Sequence, residues 1–191
     1  MSEYNKKGVV LDHNFPVVPI ILMVFSLICA FIPLAASVGY QGFMPYLYFV
    51  CMLLVFATLV LHRVKMQILA GIGTLVIAAY NLYEAFNMIW YTVNYGSSGY
   101  IIFYMLIYLL GAAAFTVTGL HCVLRRPRPG KSAKLLLMIP LTCLWIIQLI
   151  INLVSGYASS SGFTPAYLML NCVGDILLAF ALMIYTPFRE A

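Results

Sequence analysis

Six apolar runs, near residues 17–38, 45–62, 66–93, 100–124, 135–156 and 165–186, occupy almost the whole chain. Each is close to or above the roughly 20 residues with which an α-helix crosses a hydrocarbon layer of about 30 Å. Such runs must be helical, because lipid offers no partner to an unpaired backbone amide. Composition agrees: 64% of the residues are hydrophobic and 8% charged, where a soluble domain carries about 25% charged residues. The mean hydropathy is +1.03. At 191 residues the chain is one domain by length. The expected fold is therefore all-α, a polytopic bundle of six transmembrane helices over residues 17–186. A tail at 1–16 and a short C-terminus at 187–191 flank it.

Charge sets the expected orientation. The net charge of +5 comes from ten Lys and Arg against five Asp and Glu. The basic residues fall at Lys6–Lys7, Arg63–Lys65, Arg125 to Lys134, and Arg189, which are the two termini and every second loop. The loops around Tyr40, Tyr95 and Ser160 have none. This is the positive-inside pattern. It predicts a multi-pass protein of the plasma membrane, with both termini cytoplasmic and an even number of spans. The charge is topogenic, and nucleic acid is not an expected partner.

A secretory signal peptide is the rival reading of the first run. Lys6–Lys7 would be its basic region and Ala35–Ala36 its cleavage site. The long polar lead, its acidic residues, and an apolar run beyond the usual core of about 7–15 residues favour an uncleaved first span. The third run is the longest, so it is expected to tilt or project from the bilayer. Pro19, Pro33 and Pro140 lie inside spans, where kinks are tolerated. Tyr40, Tyr46, Tyr48, Tyr91, Tyr95, Tyr100, Tyr104, Tyr157 and Tyr167 cluster near the expected outer ends. They read as an interfacial aromatic belt, or more sharply as partial lining of an outward-facing pocket. Each outer loop ends in Gly plus an aromatic (Gly42–Phe43, Gly99–Tyr100, Gly162–Phe163), a faint trace of three repeated hairpins.

The loop Arg125-Arg126-Pro127-Arg128-Pro129-Gly130-Lys131-Ser132-Ala133-Lys134 is expected to stay extended through its prolines. Arg125, Arg126, Arg128 and Lys131 are candidate contacts for lipid head groups or a cytoplasmic partner subunit. Gly111, Ala112, Ala113, Ala114 and Gly119 allow close helix approach, within the bundle or to a partner helix.

Three spans carry unusual polar residues. The third has Asn81, Glu84 and Asn87, spaced by three and so forming a slowly drifting stripe. The fifth has Trp145, Gln148 and Asn152 on one face. The sixth has Asn171 and Asp175 at i, i+4. Acids at membrane depth are functional-site hypotheses by default. No Lys or Arg shares their depth, and an unpartnered carboxylate in low dielectric is strongly disfavoured. The acids are then protonated, or face a water-filled cavity, or bind a cation or a cationic group of a ligand. The bland alternative is interhelical glue.

No metal site or cofactor is expected. The five cysteines lie in apolar runs without C-x-x-C spacing, and His13, His62 and His121 sit near cytoplasmic ends without i, i+4 partners. H-E-x-x-H, G-x-S-x-G and P-loop motifs are absent. Gly174–Asp175 lacks the companion Asp of an intramembrane aspartyl protease, so no enzyme is expected.

The layout of six short spans, cytoplasmic termini and an outer polar patch resembles the substrate-binding S components of energy-coupling factor transporters. Ser26–Ala30 and Ala70–Thr74 approximate that family's Ala-x3-Ala motifs in its first and third helices. The chain also resembles six-span proteins of Gram-positive bacteria with a late Asp-Ile-Leu helix, here Asp175-Ile176-Leu177. The leading expectation is a protein that binds or transports a small solute through Asn81, Glu84, Asn87, Gln148, Asn152, Asn171 and Asp175. The alternative is an assembly or regulatory subunit whose polar residues only hold helices together.

Overall fold

A computed structural model describes residues 9–11, 15–36, 43–96, 99–124, 129–158, 164–185 and 187–190. Six helices account for most of them: α1 (Val17–Ala36), α2 (Phe43–Leu61), α3 (Gln67–Tyr95), α4 (Gly99–Leu124), α5 (Pro129–Ala158) and α6 (Thr164–Ile184). The first five are long and apolar enough to cross a membrane, and the apolar stretch of α6, Leu168–Ile184, is shorter. Only 28% of the apolar stretch of α1 is buried inside the protein. Phe25, Phe31, Ile72, Leu106, Ile139 and Ile150 all face outward. A surface of this kind is stable only against lipid, so the chain is a multi-pass helical membrane protein.

The helices form a closed ring in chain order. Each packs on the next, and α6 returns to α1; the α3–α4 seam is the most extensive and the α1–α6 seam follows. The axis is filled by one fully buried side chain from each helix, Met23, Met52, Ile77, Phe115, Met138 and Leu178.

Small residues set the two largest seams. A methyl group built on Gly71 would lie 2.9 Å from the carbonyl oxygen of Gly119, and one on Gly119 the same 2.9 Å from that of Gly71. The backbones of α3 and α4 therefore touch where only glycine fits. Gly111, Ala112 and Ala114 are likewise buried within the chain, while Ala113 is exposed. On the other seam, Ser26 Oγ donates to the Gly174 carbonyl at 2.7 Å. Thr58, Thr74, Thr118 and Thr142 each donate to the carbonyl four residues back in their own helix, which satisfies a hydroxyl without water.

The turns have local causes. His62 takes a left-handed φ of 40° and ends α2, and a single 3-10 turn, Val64–Met66, leads into α3. At 29 residues, α3 runs for about 43 Å at about 1.5 Å per residue, so it exceeds a bilayer core as expected. Gly96, with φ of 87°, caps its far end, its backbone N–H donating a hydrogen bond to the Thr92 carbonyl at 3.1 Å.

Two features correct the sequence reading. The loop after α4 is shorter than expected, because α5 begins at Pro129. A proline at the first helical position loses no bond, since that amide has no intrahelical acceptor. Arg125, Arg126 and Arg128 lie outside the described residues, and Lys131 is in the first turn of α5. Lys134 is no loop residue: it is 1% exposed, and its Nζ donates to the Leu182 carbonyl at 2.7 Å and the Tyr185 carbonyl at 2.8 Å. Helix C-termini leave carbonyls unsatisfied and favour a cation, so this lysine locks α6 to α5. The Gln67 amide reinforces the same end by donating to the Tyr185 hydroxyl at 2.7 Å.

The second correction concerns the tails. Val9–Leu11 (β1) pairs antiparallel with Phe188–Glu190 (β2), Val9 opposite Glu190. The two ends of the helical chain thus meet at one end of the ring, together with Arg63, Lys65 and Lys134. We refer to this as the basic end.

Two substitution sets test this packing by thermal melting in detergent. Gly71→Ala or Gly119→Ala should destabilise by about 1–3 kcal/mol through overpacking, whereas Gly99→Ala, with nothing within 4 Å of an added methyl, should not. Lys134→Met, which keeps volume but strands two carbonyls, should cost about 2–3 kcal/mol.

Candidate functional site

Beyond the packed axis, toward the end of the ring opposite Lys134, the helices enclose a cavity of about 260 Å³. Every helix contributes to its wall: Pro33 from α1, Tyr48 from α2, Tyr80 and Asn81 from α3, Tyr104 and Tyr108 from α4, Trp145 and Gln148 from α5, and Asn171 and Asp175 from α6. Among the described residues, no Lys or Arg lines it.

Asp175 holds the central polar position. Its neighbour Gly174 sits against α1, where an added methyl would come within 3.3 Å of the Ser26 carbonyl oxygen. That contact sets the rotation of α6 and brings the next side chain to the cavity. The Tyr48 hydroxyl donates to Asp175 Oδ1 at 2.8 Å. Among the described residues, nothing donates to the second carboxylate oxygen. The Tyr48 and Tyr80 rings lie 5.4 Å apart by centroid, and those of Tyr104 and Tyr108, one helical turn apart, 6.4 Å. Trp145 is buried against Phe115, ring centroids 6.3 Å apart, and presents an indole to the same space.

Of the seven residues that sequence reasoning nominated, the structure brings four together: Asn81, Gln148, Asn171 and Asp175. Asn81 is 5% exposed and donates from Nδ2 to the Ile77 carbonyl of its own helix at 2.8 Å. Its amide oxygen packs over Gly111, where an added methyl would come within 2.6 Å. Gln148 and Asn171 make no hydrogen bond to any described residue.

The other three candidates stand apart from the lining. A three-residue step turns a helix by about 300°, so each member of the Asn81–Glu84–Asn87 stripe is rotated about 60° from the last. Asn81 faces the cavity, while Glu84 and Asn87 have swung off it and are half-buried. Glu84 remains within electrostatic reach of Tyr80 and Tyr108. Asn152 is buried and donates to Cys172 Sγ at 3.6 Å across the α5–α6 seam, the one nominated residue that works as interhelical glue.

Sequence reasoning anticipated Tyr48 and Tyr104 as aromatic lining and missed Tyr80 and Tyr108. The available signals were the i, i+4 pairing of Tyr104 with Tyr108 and the adjacency of Tyr80 to Asn81. Tyr91 and Tyr95, by contrast, cluster with Trp90 at the exposed end of α3, as an interfacial belt would. Among the described residues, no group of three His, Cys, Asp or Glu is placed to hold a metal ion.

Comparison with family models, curated proteins and solved structures finds no match to this chain.

The geometry predicts a sharp contrast in thiol accessibility. With the native cysteines replaced, Asn171→Cys should react with a water-soluble maleimide at least tenfold faster than Asn152→Cys, measured by mass shift. Equal rates would mean that water does not reach the α6 wall of the cavity.

Proposed function

We propose that this chain binds and carries a small solute in the tyrosine-lined cavity, as a six-span plasma-membrane protein with cytoplasmic termini. The basic end then faces the cytoplasm by the positive-inside rule, and the cavity opens in the outer half of the bilayer. Pairing of β1 with β2 supports an even number of crossings, with α6 as the sixth.

One observation carries the reading: Gln148 and Asn171 line the cavity with no hydrogen-bond partner among the described residues. Carboxamides that served only to join helices would bond across a seam, as Asn152 does to Cys172. Polar groups held apart around a cavity, on a scaffold of rigid helices, are the arrangement of a binding site.

The double variant Gln148→Ala, Asn171→Ala separates the two roles. A binding site keeps its melting temperature without solute and loses solute-induced stabilisation in a thermal-shift screen. Glue loses melting temperature in the absence of any solute. Resemblance to S components adds a second expectation: a mild-detergent pulldown recovers an ATPase pair and a coupling membrane subunit. Recovery of the chain alone ends that assignment.

Orientation is checked by aqueous labelling of intact cells in a cysteine-free background. Tyr95→Cys should label from outside, and Lys65→Cys only after permeabilisation.

A further inference from the structure

The chemistry of the cavity wall narrows its ligand. We infer that it takes an organic ammonium compound, a primary to quaternary amine on a compact apolar body. The inference rests on the binding role proposed for this cavity and deepens it.

Three observations converge. The first is charge. One carboxylate, Asp175, lines the cavity, a second, Glu84, follows Tyr80 by one helical turn, and both lie within electrostatic reach of Tyr80 and Tyr108. Among the described residues no Lys or Arg shares that lining. The buried Lys134 and His121 are together at the opposite end of the ring. The local field is therefore set by acids, which disfavours an anionic ligand and favours a cationic one.

The second is the aromatic wall. Tyr48, Tyr80, Tyr104, Tyr108 and Trp145 come from four helices and surround the space next to Asp175. The negative face of an aromatic ring attracts a cation within about 6 Å of its centroid, and the gain rises toward about 2 kcal/mol once water is excluded. Cages of several such rings suit alkylated ammonium groups, whose charge is spread over apolar carbon. The same negative ring faces repel an anionic group.

The third is the shortage of hard ligands. A divalent metal ion takes about six oxygen ligands. Asp175 and the carboxamides of Asn81, Gln148 and Asn171 supply few, and among the described residues no group of three His, Cys, Asp or Glu assists. An ammonium group needs only one carboxylate and the rings. Asp175 fits that role, with Tyr48 orienting one oxygen and the other unbonded among the described residues. Gln148 and Asn171 are placed to bond a polar group on the ligand body. As to size, an engineered cavity of about 150 Å³ admits benzene. The 260 Å³ here accordingly suits a ligand on the order of ten non-hydrogen atoms.

The test uses the indole in the wall. The chain has two tryptophans, and Trp90→Phe leaves Trp145 as the sole reporter. The purified full-length protein is titrated with phenethylamine, 2-phenylethanol and phenylacetate, which hold the scaffold and change the charge. Choline and its neutral isostere 3,3-dimethylbutan-1-ol form a second pair. Trp145 emission and melting temperature are both read.

The expected result is that each ammonium compound binds at least tenfold tighter than its neutral counterpart, with phenylacetate weakest. Asp175→Asn should bring the cation-to-neutral ratio close to one. Where that variant fails to fold, Tyr104→Leu serves instead and should weaken both cations several-fold while leaving 2-phenylethanol within twofold. Equal or tighter binding of the neutral or acidic compounds overturns the ammonium class and leaves the cavity as a binding site. If no compound of any charge moves either readout, and the double alanine variant of Gln148 and Asn171 melts lower than the parent, both readings fall and the polar residues are structural.

Discussion

The fold depends on the return of α6 to α1. Five helices packed in chain order would leave an open sheet of cylinders with an unpaired edge. The sixth closes them into a ring, and it is held at two places by different chemistry. Midway, Gly174 lets α6 settle against α1, where Ser26 bonds its carbonyl. At the basic end, the buried ammonium of Lys134 takes the last carbonyls of α6, and Gln67 holds Tyr185. A cation there meets the negative end of the helix dipole, and it replaces the water that the carbonyls would otherwise need. Without this closure there would be no enclosed axis, and Asp175 would have no fixed relation to Tyr48.

The cavity follows from how the ring is filled. Six helices around an axis leave a central space that side chains must occupy. From Met23 to Leu178, one large apolar residue per helix does so through the middle of the bundle. Toward the tyrosine-rich end the supply changes. Asn81 lies flat on Gly111, bonded to its own helix, and Pro33 and Gly174 contribute little volume. Tyrosines and carboxamides then stand around a gap. Close packing at one end and a gap at the other are consequences of one geometry with two side-chain inventories.

Much of this was legible in the chain. Six apolar runs and the absence of any other way to satisfy backbone amides in lipid specify helices, and five of the six meet the length and composition of a span. The depth of the polar residues was legible too, since position along a span gives depth directly. Asn81, Gln148 and Asn171 fall in the outer half of their spans by sequence and Asp175 near the middle, and the four share a cavity in the fold. What periodicity could not supply was rotation. A stripe at every third residue drifts by about 60° per step, so Glu84 and Asn87 leave the face that Asn81 occupies. Lys134 misled for a different reason. It stands among loop-like prolines and arginines, and only the proximity of the α6 C-terminus makes burial of its charge favourable.

The sequence by itself determined that this chain spans a membrane as helices, which of its loops carry positive charge, and at what depth its acids lie. Those properties are local, or additive along a helix, and need no knowledge of neighbours. Tertiary structure decided which polar residues meet. Asn152 became glue, Asp175 and Gln148 became cavity wall, and four tyrosines from three helices became a single surface. Convergence depends on the rotation of each helix about its axis. Rotation is set by contacts such as Gly71 on Gly119 and Ser26 on Gly174, which pair residues far apart in the chain.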